Sequence, residues 1–110
     1  MTIEKQDQYN YLKYESLLNS PIRLAVMSLL AGCGEAEFTL IREKTGTTDG
    51  NLSRHLAKLE ESGLIEVTKS FEGKKPVTCQ KLTQAGIDAL HDYVSKLETL
   101  IVSMKNKGDK

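Results

Sequence analysis

The chain has 110 residues, 39% of them hydrophobic and 27% charged, and its 15 basic and 15 acidic side chains give a formal net charge of zero. That composition fits one folded domain and excludes a disordered chain, a disulfide scaffold and a strongly basic nucleic-acid or membrane-surface module. The two cysteines, Cys33 and Cys79, stand far apart without metal-ligand spacing, and the first residues carry no apolar signal core. A soluble cytoplasmic protein with reduced thiols and no membrane partner is expected.

The charge is unevenly spread. Residues 1–38 hold three basic and five acidic side chains, residues 39–82 hold eight and six, and residues 83–110 hold four and four. A basic stretch with Lys69, Lys74, Lys75 and Lys81 against Glu72 falls in the middle segment, a local patch compatible with a polyanion.

In chain order, residues 1–8 are polar and expected to fray. Tyr9 to Leu18 reads as a short helix. Ser20 can cap a following helix and Pro21 suits its first position, where no backbone donor is needed. Ile22 to Ala31 is apolar nearly all round and reads as the buried central helix, ended by Gly32-Cys33-Gly34. Glu37-Phe38 is expected to be a short extended piece, with Thr39 capping a helix over Leu40 to Lys44. After the turn Thr45-Gly46-Thr47, Thr48 caps a helix that runs to about Ser62, and Gly63 follows at a position that favours a left-handed residue. Residues 64–71 and 76–82 have strand composition and are joined by Glu72-Gly73-Lys74-Lys75, with Pro76 at the first position of the second strand. Thr83 caps a long last helix over 84–104, and Lys105 to Lys110 is a polar tail. Two helices joined by a Gly-containing turn and followed by a hairpin make a winged helix-turn-helix, mainly α with a small β-hairpin (α+β), as a single domain over 9–104.

The helix over 48–62 carries the candidate binding face. At about 100° per residue, Leu52, Leu56 and Leu59 form one narrow stripe, and Thr47, Gly50, Asn51, Arg54 and Lys58 lie opposite. Ser53 is on one flank, and His55 lies near the apolar edge on the other. An amide, a guanidinium and an ammonium on one face can read base edges or hold phosphates of double-stranded DNA in a major groove. Any amphipathic helix has a polar face; the capped turn before this one and the basic hairpin after it favour DNA contact. Arg54 is the first candidate, with Asn51 and Ser53 beside it and Thr48 and Lys58 on phosphates. His55 is a candidate both for DNA contact and for an internal hydrogen bond, and the internal bond is the slightly favoured reading. Lys74 and Lys75 at the hairpin tip are candidates for the neighbouring backbone.

In the last helix Ile87, Leu90, Val94, Leu97, Ile101 and Met104 are spaced 3, 4, 3, 4 and 3 apart, a seam suited to a second copy of the chain. Tyr93 and Leu100 widen it, and part of it is expected to pack on the tyrosine-rich first helix. Two copies double the base contacts available to a single winged helix. An unidentified small-molecule effector could sit between the first-helix tyrosines and this helix, although no motif marks such a pocket.

Catalysis has no constellation. Ser53 and His55 point roughly 200° apart and cannot act as nucleophile and base, and phosphate loops and dinucleotide fingerprints are absent. Asp88, His91 and Asp92 are a thin ligand set, better read as local pairing on a wet face. No cofactor, metal or enzymatic activity is expected.

Three stretches resemble a family of small bacterial winged-helix transcriptional regulators related to the MarR and ArsR groups. They are Ser20-Pro21-Ile22-Arg23-Leu24-Ala25-Val26-Met27-Ser28-Leu29-Leu30, the run from Thr48-Asp49-Gly50-Asn51 to Glu61-Ser62-Gly63-Leu64, and Leu82-Thr83-Gln84-Ala85-Gly86. The resemblance spans about 14–100 and implies sequence-specific DNA binding as a homodimer and control of transcription. The paired-cysteine motif of metal-sensing ArsR relatives is absent, and Gln80 stands where an aromatic residue is expected in the second wing strand. The alternative is a winged-helix protein-interaction module without DNA binding.

Overall fold

The computed structural model describes residues 14–108. The expected start of the first helix, with Tyr9 and Tyr11, lies outside the described residues, as do the polar residues 1–8 and 109–110. Helix α1 is described over 14–18. It is followed by α2 (Pro21–Cys33), β1 (Glu35–Glu37), α3 (Phe38–Thr45), α4 (Asp49–Glu61), β2 (Ile65–Glu72), β3 (Lys75–Leu82) and α5 (Gln84–Gly108). The architecture is a winged helix: helices against a three-stranded antiparallel sheet of order β1-β3-β2, with a long C-terminal helix.

Local chemistry explains most of the boundaries. The Ser20 side chain accepts the Arg23 amide, and Pro21 occupies the first turn of α2. That helix buries only one face, with Val26, Met27 and Leu30, and leaves Ala25, Ser28 and Ala31 exposed. It is thus amphipathic rather than apolar all round, because the small residues take the outer face. Gly34, within the expected stop, ends it at φ 86°, and the last helical residue is Cys33, two past Ala31. Strand β1 occupies Glu35–Glu37, and Phe38 already belongs to α3. Glu37, whose side chain makes no capping bond, is the residue before the helix, in place of Thr39. The cause is tertiary: pairing of Glu37 with Cys79 holds the chain extended up to that point. Thr48 caps α4 as expected, and Gly63 at φ 79° lets the chain fold back so that the Leu64 amide reaches the Leu59 carbonyl at 3.0 Å.

The hairpin register runs from Ile65 opposite Leu82 to Glu72 opposite Lys75. Gly73 and Lys74 form the two-residue turn, with φ positive at Gly73 (65°) and at no non-glycine described residue, the sign pattern of a type II′ turn. Alternation puts Ile65, Val67, Leu82, Gln80 and Ala36 on the core face. The core joins Leu17 and Leu18 of α1 to residues of all the other helices and the sheet. Helix α5 runs four residues beyond the expected end at Met104, and its 25 residues make a rod of about 37 Å. No helix among the described residues is long and apolar enough to cross a membrane.

Two positions test this packing. A Cβ on Gly86 would meet the Leu64 carbonyl oxygen at 2.1 Å. In an open helix glycine to alanine is stabilising, by roughly 0.5–1 kcal/mol. Here Gly86→Ala should cost about 2–3 kcal/mol, a drop in Tm of roughly 10 °C. A thermal melt at or above the wild-type midpoint would refute the close approach. Gln80, in place of the expected aromatic, is 2% exposed, and its side-chain oxygen has no partner. Gln80→Leu removes the orphaned acceptor and should raise stability by about 1–2 kcal/mol, read as a higher denaturant midpoint.

Candidate nucleic-acid interface

Helices α3 and α4 meet through a short turn at Gly46 (φ 68°). Arg42 of α3 and Asp49 in the first turn of α4 form an ion pair of 2.9 Å across it. Both side chains are largely exposed, so the pair locates the turn more than it stabilises it. On α4, Leu52, Leu56 and Leu59 are buried, as their spacing predicts. The opposite face is left to solvent.

That face has internal order. The Thr48 hydroxyl is used as a cap, accepting the Asn51 amide at 3.2 Å. The Asn51 side-chain Oδ1 accepts a hydrogen bond from the Arg54 guanidinium. An amide and a guanidinium one helical turn apart are therefore held together, with the remaining guanidinium N–H groups free to donate outward. Ser53, Arg54 and Lys58 are exposed and Asn51 is half-buried.

His55 sits differently. Its Nδ1 lies 2.9 Å from Nη1 of Arg23 on α2, and the ring is half-buried. Burial is the main force lowering its pKa, and the Arg23, Arg54 and Lys58 charges add to it. His55 thus makes the internal contact that its position at the apolar edge allows. Arg23 carries no signal in the sequence because its partner is 32 residues away, beyond any local periodicity. Arg42 carries none because its pairing depends on how the turn folds.

The wing brings Lys74 and Lys75 to the exposed tip of the hairpin. Phe71, 73% exposed, shares the core-side face of β2 with Lys69 but lies beyond the core. The outer face pairs Lys81 with Glu35 and Glu66 across neighbouring strands. Cys79 lies on that face too. Burial raises the pKa of its thiol, and Glu35 and Glu37 push it further the same way, so the thiol is held in its less reactive protonated form.

On α5, Ile87, Val94, Leu97, Ile101 and Met104 are exposed, together with Leu100 and Val102. Leu90 departs from the expected seam: it is 9% exposed and belongs to the protomer's own core. The rod packs on that core near its start, through Ala89 and Leu90, and its apolar side is open further along. Tyr93 donates to Asn19 at 2.8 Å and Lys96 pairs with Glu15 at 3.3 Å, which ties α5 to the end of α1. A cavity of about 160 Å³ lies elsewhere, between Glu37, Phe38 and Thr39 and the outer half of β3. Asp88 accepts from Gln84, and among the described residues no group of three metal-ligating side chains comes together.

Comparison with known proteins agrees with this geometry. A 38% identical stretch of 81 residues, 74% of this chain and 88% of the relative, is found in an uncharacterised protein of Methanocaldococcus jannaschii. A transcriptional regulator homologue of Pyrococcus horikoshii superposes with a TM-score of 0.76 at 29% identity, over 86% of this chain and 96% of the other. A MarR-family regulator of Enterococcus faecalis gives 0.73 at 24% identity, over 93% and 91%. The transcriptional repressor BigR of Xylella fastidiosa gives 0.62 at 26% identity, over 86% and 87%. Residues 22–101 match the family model described as a winged helix DNA-binding domain. With its helix-turn-helix, its hairpin and most of its long helix inside that match, the chain belongs to the winged helix DNA-binding domain family.

Proposed function

We propose that this protein is a sequence-specific DNA-binding regulator of transcription that acts as a homodimer through a single domain over 9–104. The observation that carries the reading is the outward face of α4, where Asn51 and Arg54 are hydrogen-bonded to each other on a helix whose other side is fully committed to the core. A guanidinium oriented in this way suits a guanine edge or a phosphate in a major groove, and the amide beside it suits adenine. Ser53 flanks the reading face. Lys58 and the exposed Thr48 stand at phosphate positions, and Lys74 and Lys75 bring cations to the backbone beside the adjacent groove. A neutral net charge does not oppose this, since affinity follows the local cations and the phosphates they neutralise. His55 supports α4 from within rather than reading DNA.

The open apolar side of α5 favours a second copy. Val94, Leu97, Leu100, Ile101 and Met104 form a continuous exposed stripe on the rod, and two rods laid together would bury it. A two-fold pair would present two α4 helices to successive half-sites about one turn of duplex apart. A small-molecule effector acting on such a dimer remains part of the proposal, with no site assigned.

One set of titrations separates the roles. Against a duplex selected from a random pool, Arg54→Ala should weaken binding and relax base preference at one position by about 1–3 kcal/mol. Lys74→Ala with Lys75→Ala should lower the salt slope, by roughly 0.9 for each phosphate that is no longer neutralised. A protein that binds no duplex, or an Arg54→Ala variant with wild-type binding, overturns the reading. Val94→Glu with Ile101→Glu should leave the helical circular dichroism intact and convert the dimer to monomer in sedimentation. A wild type that sediments as a monomer removes the paired arrangement.

A further inference from the structure

Arg23 is the one side chain described that holds both the end of α1 and the middle of α4. Its Nε donates to the Leu17 carbonyl at 2.6 Å, and its Nη1 lies 2.9 Å from His55 Nδ1. Leu17 is in the last turn of α1, where carbonyls have no partner within the helix. Guanidinium has no acceptor, so Arg23 must donate and Nδ1 must accept. The imidazole then carries its proton on Nε2. The connection also continues past α1: Asn19 and Glu15 are held by Tyr93 and Lys96 of α5. A chain of polar contacts thus runs from the rod, through α1 and Arg23, to the helix bearing Arg54.

We propose that Arg23 and His55 are positioning residues for DNA recognition, which clasp α4 to α1 and thereby make the presentation of Asn51 and Arg54 depend on pH. The inference rests on the DNA-binding reading above and adds its regulation. A proton on Nδ1 abolishes the acceptor and places N–H against N–H. It also adds a cation beside Arg23 of α2 and beside Arg54 and Lys58 of α4 itself; among the described residues these are the charged groups that bear on the ring, and all of them are cationic. From α1 the contact is a backbone carbonyl, already taken by Arg23. Nothing there compensates an imidazolium, so the clasp exists with the neutral ring and opens when the ring is protonated.

The folded state holds the His55 pKa below its usual value of 6.5. The unfolded chain therefore binds the proton more readily, and the contribution of the clasp is complete above pH 6.5 and disappears as pH falls through the lowered value. The only other histidine, His91, is exposed on α5 and serves as the control.

The test is an anisotropy titration of the full chain with a labelled duplex selected from a random pool, from pH 7.5 to 5 at constant ionic strength. Wild-type affinity should fall several-fold on acidification, and His91→Gln should follow the same curve. His55→Asn, whose side-chain oxygen can take the place of Nδ1 and does not titrate, should give a flattened profile. Arg23→Met should bind weakly at pH 7.5 with little further loss. A parallel titration by nuclear magnetic resonance needs no DNA: His55 should titrate below an ordinary histidine and move upward in Arg23→Met. The proposal is overturned by a flat wild-type profile, by affinity that rises on acidification (an imidazolium on phosphate), or by a His55 titration that Arg23→Met leaves unmoved. If the protein binds no duplex at any pH, the DNA-binding reading fails, and the resonance titration still decides whether the clasp exists.

Discussion

The junction between Leu64 and the first turn of α5 is the constraint on which the rest of the molecule depends. The Leu64 carbonyl accepts the Thr83 amide at 3.0 Å, while the Thr83 hydroxyl donates to the Gly63 carbonyl at 2.6 Å and accepts the Gly86 amide at 3.0 Å. One threonine therefore caps α5 and stitches it to the exit of α4. Gly86 lies directly over the same carbonyl. Since α4 ends, β2 begins and α5 starts within this small volume, the angles among α4, hairpin and rod are set together. A shift of any one of them breaks a backbone hydrogen bond that is shielded from water, which costs more than an exposed contact of the same kind.

Charge is organised by location rather than by total. The sheet's outer face sets Lys81 among Glu35 and Glu66, so that lysine is balanced by its neighbours. Lys74 and Lys75 at the tip and Arg54 and Lys58 on α4 are exposed. A chain with zero net charge thus still presents exposed cations on α4 and at the wing tip.

The sequence disclosed elements whose cause is local. Ser20, Thr48 and Thr83 marked helix starts because a hydroxyl cap is a contact between near neighbours. The leucines of α4 showed their buried side through spacing alone. What stayed hidden depends on partners distant in the chain. Strand β1 is three residues long and owes its form to β3, over forty residues later, so Thr39 looked like a cap when the ladder had already placed the helix start at Phe38. Leu90 carries the heptad spacing of an exposed seam, yet the rod passes over its own core there. Arg23 offered no periodic signal because its importance lies in joining residues 17 and 55.

The unequal lengths of the three strands have a mechanical outcome. Strand β1 reaches only from Lys81 to Cys79 along β3, so the inner part of β3 is paired on both sides, and the part of the hairpin from Thr78 to the Gly73 turn is a two-stranded ribbon. Ribbons of that kind coil more strongly and resist bending less than a sheet of three. The base of the wing is stiff and its tip compliant, so Lys74 and Lys75 can shift while the root keeps its angle to α4.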